Sequence, residues 1–375
     1  MFEDGGEGRG GGRTGRSFLR AADERLADLH PAYFAMSMAT GVVSIACHLL
    51  QIGPLGKVLL IVNLIVYPAL LGATAYRLIR HRSRFLADLR DHRRGVGFFT
   101  TVAATGVLGS QLAVVEQSLV VGRWILFPAI TLWLACMYAV FASFTVREHK
   151  PGLAEGINGG WLTAVVATQS VGVLTCFVAT TFGRHQELLL FMALTFWLCG
   201  GMLYIWMISL IFYRYMFFPF SPSDLMPPYW INMGAMAIST LAGTMLVRSA
   251  PASALLRELL PFLKGFSVWY WATATWWIPM LAILAIWRHG VKRFPLTYDP
   301  LYWGAVFPLG MYTVATFRLS AALGMPALAA IPRVFVFVAL AAWTAAFAGF
   351  LRRQLTLWPA RESGGARERP RLRRP

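Results

Sequence analysis

The sequence predicts an all-α polytopic membrane protein whose helices cross the bilayer ten times. Three observations carry that prediction. Hydrophobic residues make up 57% of the 375 residues and charged residues only 14%, with a mean hydropathy of +0.57, whereas about a quarter of a soluble domain is charged. The apolar residues fall in runs long enough to span a bilayer, which takes about 20 residues each. Arginine and lysine gather between and beyond those runs rather than within them.

The runs are 31–50, 57–79, 96–115, 122–146, 158–181, 187–213, 229–248, 262–288, 300–322 and 331–351. The first opens on Pro31 and carries Ser37, Thr40 and Ser44, and the second holds Asn63, Pro68 and Thr74. The third is rich in small polar side chains, Thr100, Thr101, Thr105, Ser110 and Gln111, while the fourth has Pro128 in its apolar middle. The fifth opens on Asn158 and adds Thr163, Thr168, Gln169, Ser170 and Thr175; the sixth offers Thr195 and Ser209. Asn232, Ser239, Thr240 and Thr244 lie in the seventh, and Pro279 in the eighth. The ninth contains Pro308, Thr313, Thr316 and Ser320, and the tenth only Thr344. Short connections make residues 30–351 a single bundle. The Gly/Arg-rich flanks, 1–29 and 352–375, cannot bury a core and are expected to be disordered. The first apolar run starts too late and runs too long for a cleavable signal peptide.

The net charge of +17 raises the question of nucleic acid, but the basic residues flank apolar runs, so topology and anionic lipid account for them and no nucleic-acid partner is expected. With ten runs the termini share a side with the connections after even-numbered runs. That side carries Arg77, Arg80, Arg82, Arg84, Arg90, Arg93 and Arg94 in one connection alone, against Lys57, Arg123, Arg184, Arg248, Arg257, Lys264 and Arg333 on the other side. The positive-inside rule therefore places both termini in the cytoplasm, and the plasma membrane is the expected location.

Polar side chains favour the odd-numbered runs. Unsatisfied polar groups are costly in hydrocarbon, so the alternation predicts odd helices around an interior path and even helices against lipid. The competing account is that Ser and Thr bond to their own backbones or join neighbouring helices. On the first account the candidate lining residues are Thr40, Ser44, Thr105, Thr168, Ser239 and Thr316. No Asp or Glu lies near the middle of a run, which argues against tight proton coupling and suits an anion. His48, His149, His185 and His289 sit near run ends without a partnered acid or nucleophile, so no enzyme and no cofactor are expected. Cys47, Cys136, Cys176 and Cys199 stand singly in apolar runs, without a metal-ligand spacing.

The ninth run, DPLYWGAVFPLGMYTVATFRLS from Asp299 to Ser320, joins a helix break at Pro308, the Phe307 ring beside it and a single cation, Arg318. The combination points to a gated anion path. Arg318 either attracts the anion or snorkels to the outer interface.

Two segments resemble a known family. PAYFAMSMATGVVS, Pro31 to Ser44, is similar to an opening P-x-x-F followed by M-x-T-G-x-V-S, and YWGAVFPLGMYTVAT, Tyr302 to Thr316, is similar to a W-x-x-x-F-P-[LM] segment with a downstream V-A-T. Both resemble the tellurite-resistance and C4-dicarboxylate transporter family, which includes plant slow-type anion channels and fungal sulfite and malate transporters. The resemblance implies five helical hairpins in a pseudo-five-fold arrangement about a central pore, a homotrimer with one pore per subunit, and a pore plug at Phe307 beside Pro308. Its implied cargo is a small inorganic anion or a C4-dicarboxylate. It leaves open channel-like passage or efflux of sulfite or malate, a proton- or potential-coupled carrier, and the relevance of tellurite. Pro68, Pro128 and Pro279, inside even runs, depart from the family's habit of kinking odd helices.

Overall fold

The computed structural model describes residues 20–357, and no strand occurs among them. The long helices are α1 (Phe34–Leu49), α2 (Leu55–Arg80), α3 (Phe99–Val115), α4 (Leu119–Thr145), α5 (Thr163–Val178), α6 (Gln186–Phe217), α7 (Ile231–Ser249), α8 (Leu260–Ile286), α9 (Trp303–Leu323) and α10 (Ala330–Leu357). By length and composition they make nine candidate membrane spans among the described residues, because Gly159–Phe217 forms one helical stretch of 59 residues. Within it Gly183 has φ 53° and ψ −120°, outside the helical region, and separates α5 from α6. A left-handed φ of this kind is open to glycine at little cost.

Packing sorts the helices into two shells. α1 packs on α3, α3 on α5, α5 on α7, α7 on α9 and α9 back on α1. Each even helix lies outside, against the odd helix before it and the one after it, with α10 reaching α1. Burial follows the same division, from 94% of the span window in Gly95–Val115 to 17% in Leu55–Arg80. The inner helices are short and rich in Gly, Ala, Ser and Thr, which lets their backbones approach closely.

Each inner helix is entered through a 3₁₀ turn: Pro31–Tyr33, Gly95–Phe98, Gly159–Leu162, Pro227–Trp230 and Pro300–Tyr302. Three of these turns are capped by side chains of the preceding residue, His30, Asn158 and Asp299. The flanks are more ordered than the sequence predicts. Residues 20–27 form a helix, held where Asp23 accepts from Tyr76 at 2.7 Å and contacts His81 at 2.9 Å, and where Arg77 donates to the Ala27 carbonyl at 2.9 Å. The expected disorder of 1–29 therefore does not extend to that helix, and α10 carries order on to Leu357. The rest of both tails, 1–19 and 358–375, lies outside the described residues.

Candidate functional site: an axial path between the inner helices

The inner helices each turn one stripe of residues, spaced three and four apart, toward a common axis. This spacing keeps side chains on one helix face. On α9 the stripe is Gly304, Phe307, Met311, Val314 and Arg318; on α1 it is Ala35, Met38, Val42, Ile45 and Leu49. Three cavities follow the stripes. One, of about 100 Å³, lies where the inner helices begin and is lined by His30, Met38, Arg93, Arg94, Thr100, Asn158, Thr163, Ile231 and Gly304 among others. A central one of about 20 Å³ is lined only by inner helices: Val42 and Ile45, Val107, Ser110 and Val114, Ser170, Val173 and Phe177, Ile238 and Leu241, and Met311, Val314 and Arg318. A wide mouth of about 650 Å³ opens where the inner helices end and includes His48, Gln117, Gln186, Arg248 and Arg318. Val114, Phe177 and Arg318 border both the central cavity and the mouth.

Phe307 is the one member of the α9 stripe that lines none of these cavities, and it is fully buried. It falls between Gly304 of the entry cavity and Met311 of the central one. Stripe positions Ala103, Val166 and Gly234 likewise line neither cavity, so small or medium side chains share the level of the Phe307 ring. Pro308 does not break the helix: α9 runs unbroken from Trp303 to Leu323 with the proline inside. What is lost is one backbone bond, since Pro308 has no N–H to give the Gly304 carbonyl. The ring fits because Gly234 faces it; a Cβ there would stand 2.7 Å from Pro308 Cγ.

The six candidate lining residues lie elsewhere. Thr40, Ser44, Thr105, Thr168, Ser239 and Thr316 are all buried, yet none lines the three axial cavities. They occupy the seam between the shells. Trp343 Nε1 of α10 donates to Thr40 Oγ1 at 2.9 Å, Tyr67 of α2 meets Thr105 Oγ1 at 2.8 Å, Trp133 Nε1 of α4 donates to Thr168 Oγ1 at 2.9 Å and Trp271 Nε1 of α8 donates to Thr316 Oγ1 at 3.0 Å. In the remaining pair Trp197 Nε1 of α6 donates to the Ser239 carbonyl at 2.9 Å. Ser44 donates to the Gly56 carbonyl of α2 at 2.6 Å. Thr40, Thr105, Thr168 and Ser239 also donate to the carbonyl one turn earlier in their own helices. The physical reason is satisfaction: an indole N–H on a lipid-facing helix must find an acceptor, and a threonine hydroxyl one helix inward provides it. Each even helix thus carries one Trp or Tyr that reaches the next inner helix, a recurrence readable in the sequence as Tyr67, Trp133, Trp197, Trp271 and Trp343.

The hydroxyls of the central cavity are instead Ser110 and Ser170, which donate to the carbonyls of Gly106 at 2.9 Å and Ala167 at 2.8 Å, and those of the entry cavity are Thr100 and Thr163. The cations are better placed than the sequence indicates. Arg318 stands at the junction of central cavity and mouth, with Arg248 in the same mouth. Stepping along the α7 stripe from Leu241 through Met245 reaches Arg248, so that residue was open to discovery by spacing. Arg93 and Arg94, at the entry cavity, lie in a connection with no periodic signal. Arg94 is tied to Asp88 at 2.7 Å. Burial, with Arg94 adding to it, pulls the His30 imidazole down to about 4, and His30 Nδ1 accepts the Ala32 N–H at 3.1 Å. The entry cavity therefore holds a neutral histidine at neutral pH.

The family model for voltage-dependent anion channels matches residues 28–351, nearly the whole chain. The chain belongs to this family. Among curated relatives, an uncharacterized membrane protein of Mycobacterium tuberculosis is 43% identical over 150 residues, 40% of this chain and 75% of that protein. Two uncharacterized transporters of Methanocaldococcus jannaschii are 26% and 25% identical over 76% of this chain, covering 83% and 82% of their own lengths. The family is one of anion transport across membranes, and the match spans every long helix named above apart from the last residues of α10.

Proposed function

We propose that the chain conducts small anions along the inner-helix axis, with the Phe307 ring as the barrier and Pro308 beside it. The carrying observation is the alignment of two axial cavities with arginines at both ends and an interruption at the level of Phe307. A bulky ring in a narrow apolar constriction blocks passage and expels water. All five inner helices begin at the entry cavity, so the positive ends of their dipoles favour an anion there. Arg318 and Arg248 offer the matching field at the mouth. The lining is assigned to the axial stripes, and Thr40, Thr105, Thr168, Ser239 and Thr316 to holding the shells together.

The same proposal takes the chain as ten crossings in a pseudo-five-fold arrangement, with the entry cavity and both termini cytoplasmic in the plasma membrane and with three copies assembling. Sulfite, malate, chloride and nitrate are the candidate cargoes. A coupled carrier of C4-dicarboxylate or sulfite is the second reading, and the absence of any Asp or Glu from the three axial cavities disfavours a proton-coupled form. Proteoliposomes loaded with each of the four anions test both: flux that does not saturate and ignores a pH gradient supports the channel, saturable flux that follows the gradient supports the carrier, and no flux of any anion removes the proposal.

A further inference from the structure

Three arginines of the outer shell are buried, Arg77 at 3%, Arg214 at 5% and Arg288 at 9% exposure. All three stand at the same end of the bundle, Arg77 in the last turn of α2, Arg214 in the last turn of α6 and Arg288 just past α8. A buried guanidinium is tolerated when a counter-charge accompanies it and is costly when none does. Arg77 has Asp88 at 2.5 Å and Arg214 has Asp224 at 3.3 Å. Arg288 has no carboxylate at ion-pair distance among the described residues. The acid of its own connection, Asp299, is exposed and accepts the Leu301 N–H at 2.7 Å instead.

Arg288 is held in place without being neutralised. It donates to the Leu225 carbonyl, its guanidinium carbon sits 4.4 Å from the centre of the Phe294 ring, and its Nε has no partner. The backbone there is a π-helical turn, Trp287–Val291. Such turns admit an extra residue and recur at functional sites. The side chain lines a cavity of about 50 Å³ between the Pro227–Trp230 turn, the end of α8 and the first turns of α9, with His289, Tyr302 and Ala305 on its walls. Ile283 and Ile286, on the neighbouring turns of α8, are exposed.

We propose that this cavity binds an oxyanion of phosphate type, which gives Arg288 the counter-charge that Asp88 and Asp224 give Arg77 and Arg214. The guanidinium fork matches phosphate oxygens. Two sources share this chemistry: the phosphodiester of a phospholipid headgroup, whose chains would lie along Ile283 and Ile286, or free phosphate. Tyr302 leads into α9, so the occupant bears on the helix that carries Phe307. Binding itself is independent of the transport proposal and is measured without it.

The test uses the full-length protein in lipid-free detergent and in nanodiscs. Thermal unfolding is followed while inorganic phosphate replaces chloride at constant ionic strength, and in nanodiscs of phosphatidylglycerol against phosphatidylcholine. Wild type is expected to melt several degrees higher with phosphate, with phosphatidylglycerol, or with both; a rise with phosphate in detergent identifies the free anion, and a rise confined to phosphatidylglycerol identifies the lipid. Arg288→Gln is expected to melt no lower than unliganded wild type, because an uncompensated buried charge is gone, and to lose the rise. Arg288→Lys keeps the charge without the fork and should half-saturate at about tenfold higher ligand or more. If Arg288→Gln does not accumulate, Ala305→Asp carries the test by supplying an internal carboxylate: it should melt higher than unliganded wild type and respond no further. A wild type that responds equally to chloride and phosphatidylcholine overturns the proposal, as does a full response in Arg288→Gln or Ala305→Asp.

Discussion

The two shells solve opposite solvation problems with opposite residues. Most of the buried hydroxyls, Thr40, Ser44, Thr105, Ser110, Thr168, Ser170, Ser239 and Thr316 among them, belong to the inner helices, while the exposed large apolar side chains of the long helices, such as Ile65, Trp124, Trp206, Ile283 and Phe337, belong to the outer ones. In a soluble protein the more polar helices would face out. Here hydrocarbon is the outer solvent, so small and polar residues pack inside and bulky apolar residues cover them. Within the inner shell a second contrast appears, between the face turned to the axis and the face turned to the seam. On α9 these are Phe307, Met311, Val314 and Arg318 on one side, and Tyr312 and Thr316 on the other, where Tyr312 meets Thr275 at 2.8 Å and Thr316 meets Trp271 at 3.0 Å.

Changes on the axial face are expected to alter flux and leave the fold, and changes on the seam to do the reverse. The largest effect is expected from Phe307→Ala, which should raise anion flux into proteoliposomes by about tenfold or more by opening the apolar constriction; unchanged flux would remove Phe307 from the barrier. Arg318→Gln follows, with flux reduced by about threefold to tenfold at low salt and less at high salt, since salt already screens the Arg318 charge that the change removes. Equal flux at every ionic strength would assign Arg318 to the interface alone.

Much of this was legible in the sequence. Run lengths gave the long helices to within a few residues, and the odd-even polarity difference gave the two shells, because both depend on composition alone. The direction of each hydroxyl was not legible. Thr316 and Val314 are two positions apart, one facing Trp271 and the other the central cavity, and only the packed neighbours decide which is which. Arg248 was within reach of helical spacing, whereas Arg93 and Arg94 enter the site through a connection whose path no periodicity predicts. Pro308 reads as a break from its missing N–H alone, yet the helix continues through it.

Smaller effects sharpen the seam. Trp133→Phe and Trp271→Phe each remove one interhelical hydrogen bond, worth about 0.6 kcal/mol on average in membrane bundles, so each should lower the melting temperature slightly with anion flux preserved; a loss of flux without loss of stability would move that Thr to the path. A separate expectation is a pH dependence at His30. Its folded value of about 4 lies below the ordinary 6.5, so the unfolded chain binds the proton first. The contribution is present in full above pH 6.5 and is lost as the pH falls through about 4. His30→Gln should flatten the stability profile in that window, and an unaltered acid limb would show that other groups govern it.

The central claim, that the axial face and not the seam is the ion path, is tested most directly by thiol labelling in a Phe307→Ala background. With Cys47, Cys136, Cys176 and Cys199 replaced, single cysteines at Val314 and at Thr316 are exposed to a small anionic thiosulfonate during flux measurement. The account predicts rapid modification and block at Val314→Cys and neither at Thr316→Cys. Block at Thr316→Cys with Val314→Cys untouched would contradict it.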